Sequence, residues 1–144
     1  MPPINNEPPK TILILAANPR GTIPLRLDEE VREIKAGLQR SRHRDQFVVE
    51  YESAARWSDV HQFMLDYEPQ IVHFCGHGMG KGGLVLEDDN GEAKLISTEA
   101  LADLFRANAY KSTYLNKHQL RPLYCEWSHQ SELIAKKVDC FSVV

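Results

Sequence analysis

An imidazole set between two glycines, Gly76-His77-Gly78, and three widely spaced thiols, Cys75, Cys125 and Cys140, are the groups of this chain whose types suit chemistry. A thiol is a strong nucleophile only as thiolate. A neighbouring imidazole can take its proton, hold the resulting ion pair and later protonate a leaving amine. Backbone N–H groups beside such a pair, here those of Gly78 and Cys125, could receive the negative oxygen of a tetrahedral intermediate. Acyl transfer is the reaction class to which these groups point. A second chemistry is metal binding, because His73, Cys75 and His77 recur at every second residue and an extended strand would aim them at one face. No fourth ligand stands beside them, and His73 and Cys75 are more simply core residues, so the expected metal is none. Gly78-Met-Gly-Lys-Gly-Gly has the spacing of a dinucleotide fingerprint. It leads into the apolar run at Leu84 and not into a helix, so the helix dipole that would hold phosphate is missing.

These groups need elements to position them. Thr11 to Ala17 is a continuous apolar run between Lys10 and Asn18-Pro-Arg-Gly, which predicts a strand buried on both faces at the centre of a parallel sheet. Leu27, Val31, Ile34 and Leu38 recur at three and four residues and predict a helix over Leu25 to Leu38. Phe47 to Glu52 alternates as a second strand, and Ser58 is placed to cap a short helix that Pro69 closes. Ile71 to Cys75 predicts a third strand, running straight into Gly76-His77-Gly78, where an α/β sheet keeps its ligands. Asp88-Asp-Asn-Gly between two short apolar runs is a hairpin signal, and Ser97 caps a helix carrying Leu101, Leu104 and Phe105. Tyr110 to Leu120 has no period and reads as loop. Leu123-Tyr-Cys125 reads as the end of a fourth strand, Ser128 to Val138 as a helix and Cys140 to Val144 as a fifth strand. Were the fourth strand to pair beside the third, Cys125 would fall on the order of 5 Å from its neighbour's end, because adjacent strands are about 4.8 Å apart. Asn18 and Arg20, after the first strand, sit on the same rim and are weaker candidates for substrate contact.

Composition removes other classes. The chain has 144 residues, 42% hydrophobic and 26% charged, which suits one ordinary domain with an irregular lead-in over residues 1–10 that holds four of its eight prolines. A formal charge of -3, with acids and bases interspersed, offers no basic field for nucleic acid or anionic lipid. The apolar run at Ile12 to Ala17 is too short for a membrane span or a signal-peptide core, so a cytoplasmic location is expected. An odd number of wide-set cysteines suggests reduced thiols.

Three stretches carry a family resemblance: Thr11-Ile-Leu-Ile-Leu-Ala-Ala-Asn-Pro-Arg-Gly, Leu25-Arg-Leu-Asp-Glu-Glu-Val-Arg-Glu-Ile and Pro69-Gln-Ile-Val-His-Phe-Cys-Gly-His-Gly. They resemble the CHAT domain, the bacterial branch of the caspase-like cysteine peptidases. The resemblance runs from about Thr11 to Phe105 and implies a caspase-like α/β fold, a doubly wound and mostly parallel sheet with helices on both faces and a small β-hairpin insertion. It also implies a dyad of the histidine after strand three and a cysteine after strand four. The family's cysteine opens a helix containing Gln and then Ile-Ala. Gln130-Ser-Glu-Leu-Ile-Ala matches that helix, and counting back the family's five places lands on Cys125.

The expectation is therefore a cysteine endopeptidase acting on peptide or protein through His77 and Cys125, with no metal or organic cofactor. The family further suggests a helical-repeat, TPR-like regulatory partner. Two departures support a rival, in which a truncated or degenerate CHAT-like domain acts as a non-catalytic interaction or signalling module. Leu120-Arg-Pro-Leu-Tyr-Cys stands where the family has an apolar strand ending in Asn-Ala-Cys, and family domains continue through another helix and strand beyond the fifth strand. A third class, a flavodoxin-like nucleotide-binding or signalling domain, predicts ligand binding at the rim and indifference to thiol reagents.

Overall fold

Leu13, Ile14 and Leu15 have no exposed surface in the computed structural model, which describes residues 7–79, 82–109 and 139–143. They belong to β1 (Lys10–Ala16), whose neighbours are β2 (Phe47–Glu52) and β3 (Ile71–Gly78). Both pairings are parallel: Lys10 faces Phe47 through to Leu15 opposite Glu52, and Ile12 faces Ile71 through to Ala16 opposite Cys75. A continuous apolar run is what a strand covered on both faces requires. Alternate residues enter different layers. Leu13, Leu15 and Ala17 pack with Val60 and Met64 of α2 (Trp57–Tyr67) and with Leu101 and Leu104 of α3 (Thr98–Ala109). Ile12, Ile14 and Ala16 pack with Leu27 and Val31 of α1 (Leu27–Arg40). The helices thus cover both faces, and the stripe Leu27, Val31, Ile34, Leu38 is the buried side of α1.

The hairpin forms between β4 (Leu84–Glu87) and β5 (Ala93–Ile96), paired antiparallel from Leu84 opposite Ile96 to Glu87 opposite Ala93. Asp88 closes its turn: one carboxylate oxygen accepts the N–H groups of Asn90 at 2.8 Å and Glu92 at 2.9 Å. Those bonds, from Glu92 first and Asn90 second, hold its pKa below the ordinary carboxylate value. Gly83, with φ of +118°, admits no side chain, because a Cβ there would lie 1.9 Å from the Ile96 carbonyl oxygen.

Several expectations are revised. β3 runs three residues past Cys75, so His77 lies within the strand. The backbone of His77 and Gly78 pairs with Val85 and Leu84 of β4, which extends the ladder. Arg56 precedes α2 at its N-cap position, and Ser58 lies inside the helix with its hydroxyl donating to Asp89 Oδ1 at 2.9 Å. The sheet is mixed: among the described residues two strand pairings are parallel and three antiparallel. β6 (Asp139–Val143) runs antiparallel to β3, from Val72 opposite Val143 to Gly76 opposite Asp139. Apolar patterning marks a strand without its direction, since both ladder senses satisfy the backbone.

β1 and β6 both pair with β3 along Val72 to Cys75. Pro122 cannot donate to a ladder, whereas Cys140-Phe-Ser-Val carries no such defect. The loop, fourth strand and helix expected over 110–138 lie outside the described residues.

Tyr67, the last residue of α2, donates its phenol to Glu52 Oε1 at the end of β2 at 2.5 Å. That bond, with desolvation, pushes the phenol up to about 12 from its ordinary 10.0. Because the folded value is the raised one, the contribution to stability is complete below pH 10.0 and vanishes as pH climbs through 12. An ultraviolet tyrosinate titration is expected to show a step near pH 12 that is absent in Tyr67→Phe and moves downward in Glu52→Gln.

Candidate active site at the His77 end of the sheet

His77 is half-buried near the end of β3 and reaches the loop after β1, where its Nε2 lies 2.9 Å from the Ile23 carbonyl oxygen. A carbonyl can only accept, so Nε2 carries the proton and donates. In the neutral ring Nδ1 is then the lone-pair nitrogen, which is the form a general base needs. The preceding Gly76 lets β3 pass close to the end of β1, for a Cβ there would stand 2.9 Å from the Ala17 carbonyl oxygen. Gly78 follows in register with Leu84.

Of the three thiols, Cys75 is placed as a core residue. It is 2% exposed and donates to Glu30 Oε1 at 3.4 Å. Desolvation first, then the Glu30 charge and hydrogen bond, push its pKa far above the ordinary value, so the thiol stays protonated across the neutral range. Cys75 is therefore no nucleophile. In the native chain it should react with iodoacetamide on the order of 100-fold slower than after unfolding in urea. Peptide mapping of the labelled thiols over time checks this. Cys140 occupies the register position opposite Cys75 on β6, and Cys125 lies outside the described residues.

The rim candidates have local duties. Asn18 is clamped to Leu25 by two bonds, its side-chain amide donating to the Leu25 carbonyl at 3.2 Å and its Oδ1 accepting the Leu25 N–H at 3.3 Å. Its side chain thereby shapes the loop that presents Ile23. Arg20 is exposed, and its backbone N–H donates to the Gly91 carbonyl at 2.9 Å, docking this loop on the hairpin. Beside the carboxyl ends of β1 and β2 lies an open depression of about 350 Å³, lined by Asn18, Leu25, Asp28, Tyr51, Ser53 and Glu87 among others. One loop, residues 18–26, thus touches His77 and walls this depression.

Two contributors escape a reading of the sequence alone. Ile23 acts through its carbonyl, which no side-chain pattern reveals. Glu30 does leave a signal: it lies three residues after Leu27 and four before Ile34, a charge inside the apolar stripe. It brings Oε1 to 3.7 Å from His73 Nε2. The set His73, Cys75, His77 expected on one face is thus replaced by Glu30, His73 and Cys75, while His77 is held by Ile23.

Among the described residues no helix is long and apolar enough to cross a membrane. Residues 3–115 match the sequence profile described as the CHAT domain. A probable protease of Gillisia limnaea is 28% identical over 112 residues, which are 78% of this chain and 19% of that protein. A Roc-COR-CHAT protease from an unknown prokaryotic organism is 28% identical over 101 residues, 69% of this chain and 10% of that protein. The chain spans about a fifth or less of the length of these curated relatives.

Proposed function

The chain belongs to the CHAT domain family, and from that premise we propose that it acts as a cysteine endopeptidase of caspase-like type on peptide or protein substrates. The observation that carries this reading is the His77 ring, fixed through Nε2 on the Ile23 carbonyl and so left with Nδ1 as its basic nitrogen. In the reaction, Nδ1 takes the proton of the Cys125 thiol and the thiolate attacks the scissile carbonyl carbon. The Gly78 and Cys125 N–H groups receive the oxyanion. The imidazolium then protonates the leaving amine as the C–N bond breaks, giving a thioester. Water, deprotonated by the same imidazole, releases the acid and restores the thiol. The names of both relatives as proteases support the reaction class. A caspase-like winding, a cytoplasmic setting and a helical-repeat regulatory partner belong to the same reading.

Screening the wild-type chain and three variants against a peptide library tests it. Cys125→Ala is expected to abolish cleavage, while Cys75→Ala and Cys140→Ala retain it. Equal loss in all three would show destabilisation and not a nucleophile. A second reading, a non-catalytic interaction module on the same scaffold, is favoured by one observation: β6 holds the ladder on β3 that the sequence assigns to the strand bearing Cys125. That module predicts no cleavage by any variant.

A further inference from the structure

We propose that Glu30, His73 and Cys75 form a structural binding site for a zinc-like divalent cation between α1 and β3, separate from the peptidase machinery. Their ligand atoms all lie within 4.8 Å of one another. Glu30 Oε1 is the common neighbour, 3.4 Å from Cys75 Sγ and 3.7 Å from His73 Nε2. A tetrahedral cation with bonds of about 2.0–2.3 Å holds such donors roughly 3.3–3.6 Å apart, so two of the three separations already fit to within a few tenths of an ångström.

The donor chemistry selects the ion. A thiolate, an imidazole and a carboxylate are the nitrogen, sulfur and oxygen set that zinc takes, whereas calcium and magnesium prefer oxygen throughout. Cys75 would bind as thiolate, its proton passing to solvent. Thiolate and carboxylate together then offset the charge of the dication around a neutral imidazole. The cation's charge would thereby offset the repulsion that Glu30 would otherwise exert on a Cys75 thiolate. A fourth coordination position remains for water or a further ligand.

The three residues come from two elements that otherwise meet through apolar contacts. Glu30 rides on α1, while His73 and Cys75 lie on the strand that carries His77 two residues further on. Side-chain exposure is 15% for His73 and 19% for Glu30, against 2% for residue Cys75, so the cluster is largely shielded from solvent. A cation here would pin helix to strand and stiffen the base of the His77 site. The site stands on its own geometry and does not depend on whether the chain cleaves peptides.

The test is a titration of the reduced, chelator-treated full chain with cobalt(II), followed by zinc(II). Expected are one equivalent of cobalt bound, a thiolate-to-cobalt charge-transfer band with intense tetrahedral visible bands, displacement of both by zinc, and a higher thermal midpoint with zinc present. Cys75→Ser should remove the charge-transfer band, and Glu30→Gln and His73→Gln should weaken binding by roughly 100-fold. His77→Ala and Cys125→Ala should bind as the wild type does. Should Cys75→Ser fail to fold by circular dichroism, the isosteric Glu30→Gln carries the test. Absence of a stoichiometric complex overturns the proposal, as would cobalt bands that survive Glu30→Gln and vanish in Cys125→Ala.

Discussion

Replacing His77 with alanine is expected to reduce peptide cleavage by about 10³-fold or more while leaving the chain folded. The side chain is half-buried, and its hydrogen bond to Ile23 is of a kind worth about 1 kcal/mol, so its loss should not unfold the sheet. The chemical loss is larger, because without a base the Cys125 thiol is a weak nucleophile and the leaving amine has no proton donor. His77→Gln separates these contributions, since an amide can still donate to the Ile23 carbonyl but cannot exchange a proton at neutral pH. It should be as inactive as His77→Ala. The double variant with Cys125→Ala should be little worse than either single one, since the two groups act as a unit. Full activity in His77→Gln would remove His77 from the mechanism.

Leu15→Ala carries the largest structural effect, an expected loss of about 2–5 kcal/mol. Leu15 has no exposed surface, lies in register between Glu52 and Phe74, and packs in the layer that joins β1 to α2 and α3. Its removal leaves a cavity that the paired strands on either side cannot collapse to fill. Against a domain stability on the order of 5–15 kcal/mol, this should move the urea midpoint by a large fraction of its value. Val48→Ala is the comparison: Val48 is 41% exposed on β2, and its change should stay within about 0.5 kcal/mol. Equal shifts for the two would mean that β1 is not the centre of the core.

Much of this was legible in the residues because burial leaves periodic traces. The unbroken run Ile12 to Ala17 predicts a strand covered on both faces, and alternate side chains do enter two layers. The stripe on α1, the Asn90-Gly91 hairpin and the Ser97 cap, whose hydroxyl oxygen accepts the Ala100 N–H at 3.1 Å, all follow the local chemistry of their residues. Strand direction and pairing partner leave no such trace. The run Cys140 to Val144 marks a strand, but only its ladder shows that it runs antiparallel to β3 and takes a place expected for the strand before Cys125. The placement of His77 at the sheet's end was readable from its flanking glycines, and its orientation was not. Orientation depends on the carbonyl of Ile23, 54 residues earlier, and a backbone acceptor has no sequence signature. Glu30 was visible as a charge within an apolar stripe, yet only its approach to His73 and Cys75 gives that charge a meaning.

The proposed chemistry rests on a thiol and an imidazole close enough to exchange a proton, and one distance tests it: Cys125 Sγ to His77 Nδ1 in a crystal structure of the reduced chain. A separation of about 3.5–4 Å, or up to about 6 Å with one bridging water, is the predicted result. A sulfur held well beyond that reach, with Nδ1 facing another group, would contradict the peptidase mechanism and leave the interaction module as the function of this fold.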